Sequence, residues 1–319
     1  MPVPFALLAC PACAGSLDKT YLCAACGAHW PAPGGIPQLR LDADSRTNTV
    51  REFYNHAPFP GYPPNDSLSW LRARAGRSAF ARLLDDSIPG DARIAEVGCG
   101  TGQTSLYLAR ADRTVVALDL SREALKLGAA AAARYGIEHV AFVEADLNRL
   151  PLKAGAFDLI YSSGVLHHTP DPRAAFARIA AAVRPGGMIV VGLYNTIARL
   201  PLRARRVVAR LTGNRWVPFD PVLRDRASEP ARREAWLRDQ YAHPEEHRHS
   251  VAEVRRWFAE NDVEWLRTYP STMIGDEPAN LFEPAADAWA LEAWAAQFGW
   301  MWSLGGEGGL FVSVGRRRG

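Results

Sequence analysis

The run Arg93-Ile-Ala-Glu-Val97 passes directly into Gly98-Cys-Gly-Thr-Gly102, and Gln103 to Arg110 then carries apolar residues at helical spacing, Leu106, Leu108 and Ala109. A short buried strand, a glycine turn and a helix start constrain this chain more than any other feature. Together they form the nucleotide-binding corner of a doubly wound α/β sheet. The glycines let the backbone approach a ligand closely, and the helix start presents free N–H groups. A second strand, Thr114-Val-Val-Ala-Leu118, ends in Asp119. It lies about twenty residues beyond the turn, where a carboxylate can bind ribose hydroxyls.

The turn also discriminates between cofactors. A dinucleotide fingerprint reads G-x-G-x-x-G, with its helix aimed at a pyrophosphate. This chain has G-x-G-x-G preceded by Glu96. A carboxylate beside the turn repels a pyrophosphate and suits a cationic amino-acid group. The pattern therefore favours S-adenosylmethionine, whose sulfonium and ammonium are positive.

Glu96-Val-Gly-Cys-Gly-Thr-Gly102 is similar to motif I of the class I S-adenosylmethionine-dependent methyltransferases. Further segments follow in that family's order: Ala117-Leu-Asp-Leu-Ser121, Glu144-Ala-Asp-Leu147, Phe157-Asp-Leu-Ile-Tyr161, and Val183-Arg-Pro-Gly-Gly-Met-Ile-Val-Val191. The resemblance covers residues 93–193. It implies a Rossmann-like, seven-stranded α/β sheet with Gly98, Gly100 and Gly102 shaping the turn under the methionine moiety. It further implies that Glu96 holds the amino group, Asp119 takes the ribose hydroxyls and Leu120 flanks the adenine. Asp146 accepts from the adenine amino group, and Leu147 gives a neighbouring backbone contact. Ser162, at the tip of the fourth strand, joins this cofactor-binding set. Cys99 reads as a small residue filling the turn.

The acceptor side is less specific. The fourth strand runs into Ser163-Gly-Val-Leu-His167-His168-Thr-Pro-Asp171, and ligands of open α/β sheets lie beyond the carboxyl ends of strands. Asp171 caps a helix that runs to Val183 and stops at Arg184-Pro-Gly-Gly. The loop resembles the His-His loop of ubiquinone- and menaquinone-type methyltransferases. His168 and His167 are candidate bases, because imidazole titrates near neutrality; the opposing reading is that they only shape the loop. Methyl transfer asks little beyond alignment and exclusion of water, so no base is required. Aromatic N-terminal segments of related enzymes often fold over the cofactor, which makes Tyr54, in Glu52-Phe-Tyr-Asn-His-Ala-Pro-Phe-Pro-Gly-Tyr62, the candidate lid residue.

An insertion spans about residues 194–250. Its end, Asp239-Gln-Tyr-Ala-His-Pro-Glu-Glu-His-Arg-His249, offers histidines and acids that invite a metal site. Against that, Ser250-Val-Ala-Glu253 is a capping box that simply starts a helix. Tyr241, His243 and His249 are candidate pocket residues. Arg199, Arg203, Arg206 and Arg210 lie on one side of a basic amphipathic helix, suited to phosphate, a membrane surface or an acidic partner, or simply solvated. Trp289, Trp294, Trp300 and Trp302 are expected to complete the core or a subunit contact. Gly309 to Gly315 reads as the last, antiparallel strand.

The N-terminus carries separate chemistry. Cys10-Pro-Ala-Cys13 and Cys23-Ala-Ala-Cys26 form two C-x-x-C knuckles able to close on one Zn2+. A short segment with little core gains its fold from such a metal. A redox dithiol would need a βαβ pattern around it, which is missing. Residues 8–41 resemble the zinc-ribbon activator proteins that partner tRNA- and ribosome-modifying methyltransferases. They also resemble the zinc ribbon of a bacterial ribosomal-RNA guanine methyltransferase family. The ribbon is either a stabilising or oligomerising cap or a substrate-recognition element.

These readings divide the chain into a zinc ribbon (1–45), a helical lid or linker (46–92) and a methyltransferase domain (93–319). At 48% hydrophobic and 22% charged residues the chain has the balance of an ordinary globular protein. A formal net charge of +3 is too small to argue for nucleic acid by itself. No apolar run suggests a transmembrane segment, and no basic n-region suggests a signal peptide, so a cytoplasmic enzyme with reduced thiols is expected. The leading expectation is methyl transfer to an oxygen, nitrogen or carbon nucleophile of a small-molecule acceptor. The rivals are an RNA base methyltransferase using the ribbon and basic helix, and a cofactor-binding activator without turnover. Homo-oligomerisation stays open.

Overall fold

The computed structural model describes residues 4–41, 45–56, 58–63, 66–212, 217, 220–225, 233–234, 236–237, 240–241, 246–286, 288–304 and 308–319. In chain order the strands are β1 (Gln38–Leu39), β2 (Arg93–Val97), β3 (Thr114–Asp119), β4 (Val140–Ala145), β5 (Phe157–Ser163), β6 (Val183–Tyr194), β7 (Val263–Tyr269) and β8 (Leu310–Arg317). The helices used below are α1 (Ser45–His56), α2 (Leu68–Gly76), α3 (Ala79–Ser87), α4 (Gln103–Leu108), α5 (Arg122–Tyr135), α6 (Pro172–Ala182), α7 (Leu200–Leu211), α8 (Pro221–Asp225), α9 (Val251–Glu260) and α10 (Ala290–Ser303).

The strands form one sheet in the order β1-β4-β3-β2-β5-β6-β8-β7, parallel except where β8 pairs antiparallel with β6 and β7. Runs such as Val115 to Leu118 and Ile189 to Val191 are buried on both faces, as a parallel sheet covered by helices on each side requires. From β2 the chain winds outward first through β3 and β4 and later, in the other direction, through β5 and β6. The switch point thus falls between β2 and β5, above which ligands bind in this architecture.

The seven strands from β2 to β8 are the expected α/β sheet, and β1 extends it to eight. β1 comes from the N-terminal module and pairs parallel with β4 through Gln38↔Glu144 and Leu39↔Ala145. The module is therefore welded to the sheet rather than tethered to it. Leu8, Cys10, Leu17, Cys23 and Leu39 belong to the same buried cluster as Val143, Phe157 and Phe176. Ala9 N–H donates to Pro151 C=O at 3.0 Å and Lys153 N–H to Leu7 C=O at 3.1 Å.

Several local expectations change in packing. Helix α6 ends at Ala182, one residue before the expected Val183, which instead opens the long strand β6 with an irregular register against β5. β8 continues past Gly315 because Arg317 is anchored. Its guanidinium donates to the C=O groups of Ala180, Ala181 and Val183 at 3.0, 2.9 and 2.7 Å, tying the end of the sheet to the junction of α6 and β6. Of the C-terminal tryptophans only Trp300 is buried; Trp289, Trp294 and Trp302 are exposed, so they do not complete this core. No helix among the described residues is long and apolar enough to cross a membrane.

Candidate active site

The glycine turn folds as its composition demands. Gly100 has φ +54°, and a Cβ there would lie 2.2 Å from the C=O oxygen of Phe59. Gly102 has φ +75°, and a Cβ there would meet the Phe142 ring at 2.6 Å. Both positions exclude side chains for two independent reasons, a left-handed backbone and a close neighbour. Gly102 is the N-cap of α4 and shapes the turn from behind, whereas Gly98, Cys99 and Gly100 face a cavity of about 1000 Å³.

Asp119 and Glu96 supply the charge. Asp119 Oδ2 accepts from Gly100 N–H and Oδ1 from Ser121 N–H, each at 2.7 Å, so the tip of β3 is tied to the glycine turn. Burial nevertheless raises its pKa above the ordinary carboxylate range, with those two N–H groups opposing the shift. Glu96 is more strongly affected. Burial lifts its pKa to about 7 although the Ser105 hydroxyl donates to its carboxylate. Two buried carboxylates at one cavity wall, both disfavoured as anions by desolvation, are a receptor for a cation.

The remaining adenosyl-side residues converge on this wall. Leu120, Asp146 and Leu147 line the cavity, and Asp146 is fixed by accepting from Asn148 N–H at 2.8 Å. Tyr54 lines it too, with Val50 one turn and Thr47 two turns earlier on the same face of α1. That helix is pinned in place because Asn55 Oδ1 accepts from the Ser121 hydroxyl at 2.9 Å. The segment Phe59 to Tyr62 crosses the turn: Thr101 N–H donates to Phe59 C=O at 3.3 Å and the Tyr62 hydroxyl to Thr101 C=O at 2.7 Å.

Ser162 is a correction. It does not line the cavity: it is buried, and its hydroxyl donates to Val97 C=O at 2.8 Å, holding β5 to the end of β2. Successive side chains of a strand point to opposite faces, so Ser163 and not Ser162 reaches the cavity.

The two histidines separate. His168 lines the cavity, whereas His167 is fully buried with its ring stacked on Tyr194 at 3.7 Å. Tyr194 itself lines the cavity, and its hydroxyl accepts from Gln240 Nε2 at 2.7 Å. Arg199, placed on a solvent-facing basic helix by its spacing, is fully buried instead. It pairs with Glu246 at 2.6 Å and bonds Gln240 Oε1 at 2.9 Å. Arg206 Nε donates to Gln240 C=O at 2.7 Å, so of the four spaced arginines only Arg203 and Arg210 are exposed.

Of the pocket residues proposed from the insertion, Tyr241 and His249 do not reach the cavity. The Tyr241 hydroxyl bonds Asp220 at 2.7 Å, and His249 Nδ1 meets Glu253 at 3.0 Å beside the Ser250 cap of α9. His243 and Asp239 lie outside the described residues. Gln240 and Trp236 line the cavity in their place, together with the apolar Phe80, Tyr269, Leu304 and Leu310. Arg74 and Arg77 stand at this cavity as well. Tyr194 was legible as the tip of the fifth strand of the motif series. The others carry no motif, since they come from four separate stretches of chain.

The cysteines form a second site. Cys10, Cys13, Cys23 and Cys26 bring their Sγ atoms within 4.8 Å of one another, the one such group of ligand side chains among the described residues. Cys10–Cys26 and Cys13–Cys23 are separated by 3.7 and 3.5 Å, far beyond a disulfide. Zn–S bonds of about 2.3 Å set tetrahedral S···S edges of about 3.8 Å. A Cβ on Gly15 would lie 2.9 Å from Cys23 Sγ and 3.2 Å from Cys13 Sγ, so the loop is cut to the sulfurs. The group fits a four-thiolate zinc ion; His29 stands outside it.

Residues 95–191 match the family model described as a methyltransferase domain. A ubiquinone biosynthesis O-methyltransferase of Xanthomonas axonopodis is 31% identical over 154 residues, covering 47% of this chain and 62% of that protein. A protein of Synechococcus described as uncharacterized is 28% identical over 253 residues, 70% of this chain and 60% of its own. The chain thus spans about three fifths of the length of these relatives. A solved S-adenosylmethionine-dependent methyltransferase from Mesorhizobium loti is 22% identical, with a TM-score of 0.48 over 76% of this chain and all of the other.

Proposed function

The chain carries a class I S-adenosylmethionine-dependent methyltransferase domain, and from that premise we propose that it transfers a methyl group to a small-molecule acceptor held at the apolar end of the cavity. The observation that carries the reading is the division of one cavity into two unlike halves. Along the row of strand tips, Glu96, Asp119 and Asp146 at β2, β3 and β4 form an acidic side, while Tyr194 at β6 and Tyr269 at β7, with Phe80 against Tyr269, form an aromatic side beyond β5. A volume of about 1000 Å³ stands at the upper end of the ~300–1000 Å³ typical of ligand pockets, which leaves room for two molecules.

On the acidic wall Glu96 would take the methionine ammonium, Asp119 the ribose hydroxyls and Asp146 the adenine amino group, with Leu120 and Leu147 flanking the base. Bound there, S-adenosylmethionine supplies an electrophilic methyl group on a sulfonium leaving group. This chain's part is alignment and exclusion of water: α1 and the Phe59–Tyr62 segment roof the acidic wall, and Tyr194 sets the floor between the halves. His168 would hold a proton from an oxygen or nitrogen nucleophile, and His167, stacked on Tyr194 and edge-on to His168 at 4.3 Å, would act as a positioning residue. Zn2+ on Cys10, Cys13, Cys23 and Cys26 would stabilise the module that supplies β1.

The RNA reading keeps the ribbon but loses Arg199 and Arg206 to buried contacts. The activator reading predicts cofactor uptake without turnover. Calorimetric titration with S-adenosylhomocysteine, paired with mass spectrometry of molecules retained on the purified protein, tests the proposal. Uptake that weakens roughly 10–100-fold in Asp119→Asn, as loss of charged hydrogen bonds implies, supports it. Equal binding by that variant overturns the assignment of the wall. Uptake with no product from any small acceptor, while RNA fragments are methylated, transfers the activity to the rival.

A further inference from the structure

Among the described residues that line the cavity, the charged ones are three carboxylates, Glu96, Asp119 and Asp146, and two guanidiniums, Arg74 and Arg77. In the reading above, the carboxylates serve the ammonium, the ribose and the adenine of the donor. The amino-acid end of the donor also bears a carboxylate, which one guanidinium is enough to neutralise. The second cation is left over.

The two arginines differ in place. Arg74 is tied to the glycine turn. It donates to Oε1 of Gln103, the first residue of α4 after Gly102, and Gln103 Nε2 donates to Gly61 C=O at 3.3 Å in the segment that crosses the turn. It therefore stands at the methionine end. Arg77 caps the C-terminus of α2 and leads through Ser78 to Phe80, whose ring lies 5.2 Å from that of Tyr269 at the tip of β7. Between β2, which carries Glu96, and β7 lie β5, β6 and β8. Four interstrand steps of about 4.8 Å put these two tips roughly 19 Å apart. Arg77 thus belongs to the stretch that leaves the donor for the aromatic side.

Arg77 is exposed at the rim and makes no ion pair or side-chain hydrogen bond among the described residues. A guanidinium is a planar fork of N–H donors that matches two oxygens of a carboxylate or phosphate at once. Phe80 and Tyr269 beside it offer aromatic faces to a flat ligand. Among the described lining residues no carboxylate competes there, because all three lie at the tips of β2, β3 and β4. An acceptor with an anionic group is attracted to this side and repelled by the other, which turns its uncharged, nucleophilic end toward the sulfonium.

We propose that the acceptor is an aromatic oxyanion, a ring bearing a carboxylate or a phosphate, whose anionic group pairs with Arg77 while its ring lies against Phe80 and Tyr269. The proposal rests on the methyl-transfer reading and narrows its acceptor.

The test titrates the full, zinc-loaded chain, saturated with S-adenosylhomocysteine, with benzoate, phenyl phosphate and the neutral benzamide, followed by NMR. The expected result is that an anion binds about tenfold more tightly than benzamide, with a preference that shrinks as salt is added. The tighter of the two anions identifies the oxyanion. Arg77→Gln should remove the preference, lowering anion affinity about tenfold and leaving benzamide and S-adenosylhomocysteine as they were. Its uptake of S-adenosylhomocysteine shows that the variant is folded. Equal binding of the three ligands overturns the proposal, as does a preference that survives in Arg77→Gln. Loss of S-adenosylhomocysteine affinity in that variant with anion binding unchanged would assign Arg77 to the donor's carboxylate and overturn it too. If the native chain takes up no S-adenosylhomocysteine, the methyl-transfer reading falls and this one with it; uptake without anion preference removes this one alone.

Discussion

The guanidinium carbon of Arg199 sits 3.3 Å from the centroid of the Tyr194 ring, whose other face carries the stacked imidazole of His167. Tyr194 closes the floor of the cavity, so a residue of the insertion holds a residue of the sheet in place. The carboxylate of Glu246 clamps Arg199 through both oxygens, at 2.9 and 2.6 Å.

Arg199→Met should therefore destabilise the protein by about 3 kcal/mol, the lower end for breaking a buried pair, because Arg206 still neutralises Glu246. Urea unfolding checks this. A change below about 1 kcal/mol would mean that the pair behaves like an exposed one.

Acid should act through Glu246 and Asp158. Arg199 and Arg206 overcome the burial of Glu246 and hold its pKa at about 2, below the ordinary 4.5. Arg93 and Arg184 overcome that of Asp158 and likewise hold it at about 2, below 3.8. A depressed folded pKa gives stability that is complete above the unfolded pKa and lost as pH falls through the folded one. Stability should decline from about pH 4.5 toward pH 2. Glu246→Gln should flatten that decline; an unchanged slope would assign acid unfolding elsewhere.

Glu96 should give the opposite sign. Its folded pKa, raised by burial from 4.5 to about 7, means the ligand-free fold binds a proton that the unfolded chain releases. Ligand-free stability should then fall as pH rises between those values. A bound ammonium favours the anion, so affinity for S-adenosylhomocysteine should rise about tenfold between roughly pH 6 and pH 8. Isothermal titration across that range measures it. Persistence of the rise in Glu96→Gln would locate the proton on another group.

Metal removal should be felt in the sheet. Native protein should contain about one zinc per chain by elemental analysis, and Cys10→Ser/Cys23→Ser should lose it. Glu144 on β4 accepts from Arg40 at 2.6 Å and from Arg122 at 2.8 Å, and Arg122 in turn reaches Pro33 C=O at 2.6 Å. Loss of the ribbon unseats this bridge next to Asp146. Chelation should lower the melting temperature by several degrees, roughly 2–4 °C per kcal/mol at this size. An unchanged melting curve after complete zinc loss would make the module a passive appendage.

The sequence by itself determined the sheet's nucleotide corner and the thiolate cluster. Glycines 98, 100 and 102 and each C-x-x-C pair act within a few residues of one another, and the acids at 96, 119 and 146 each follow or end a short buried run, so local backbone geometry leaves them little choice. Tertiary structure decided which strand-tip residue faces the ligand, excluding Ser162, and separated His168 from His167. It turned Arg199 inward and left Trp294 and Trp302 in solvent. Those outcomes depend on which face of a strand or helix meets a neighbour from a distant stretch of chain. Periodicity alone draws two faces on a helix such as α7 or α10 without saying which one packs.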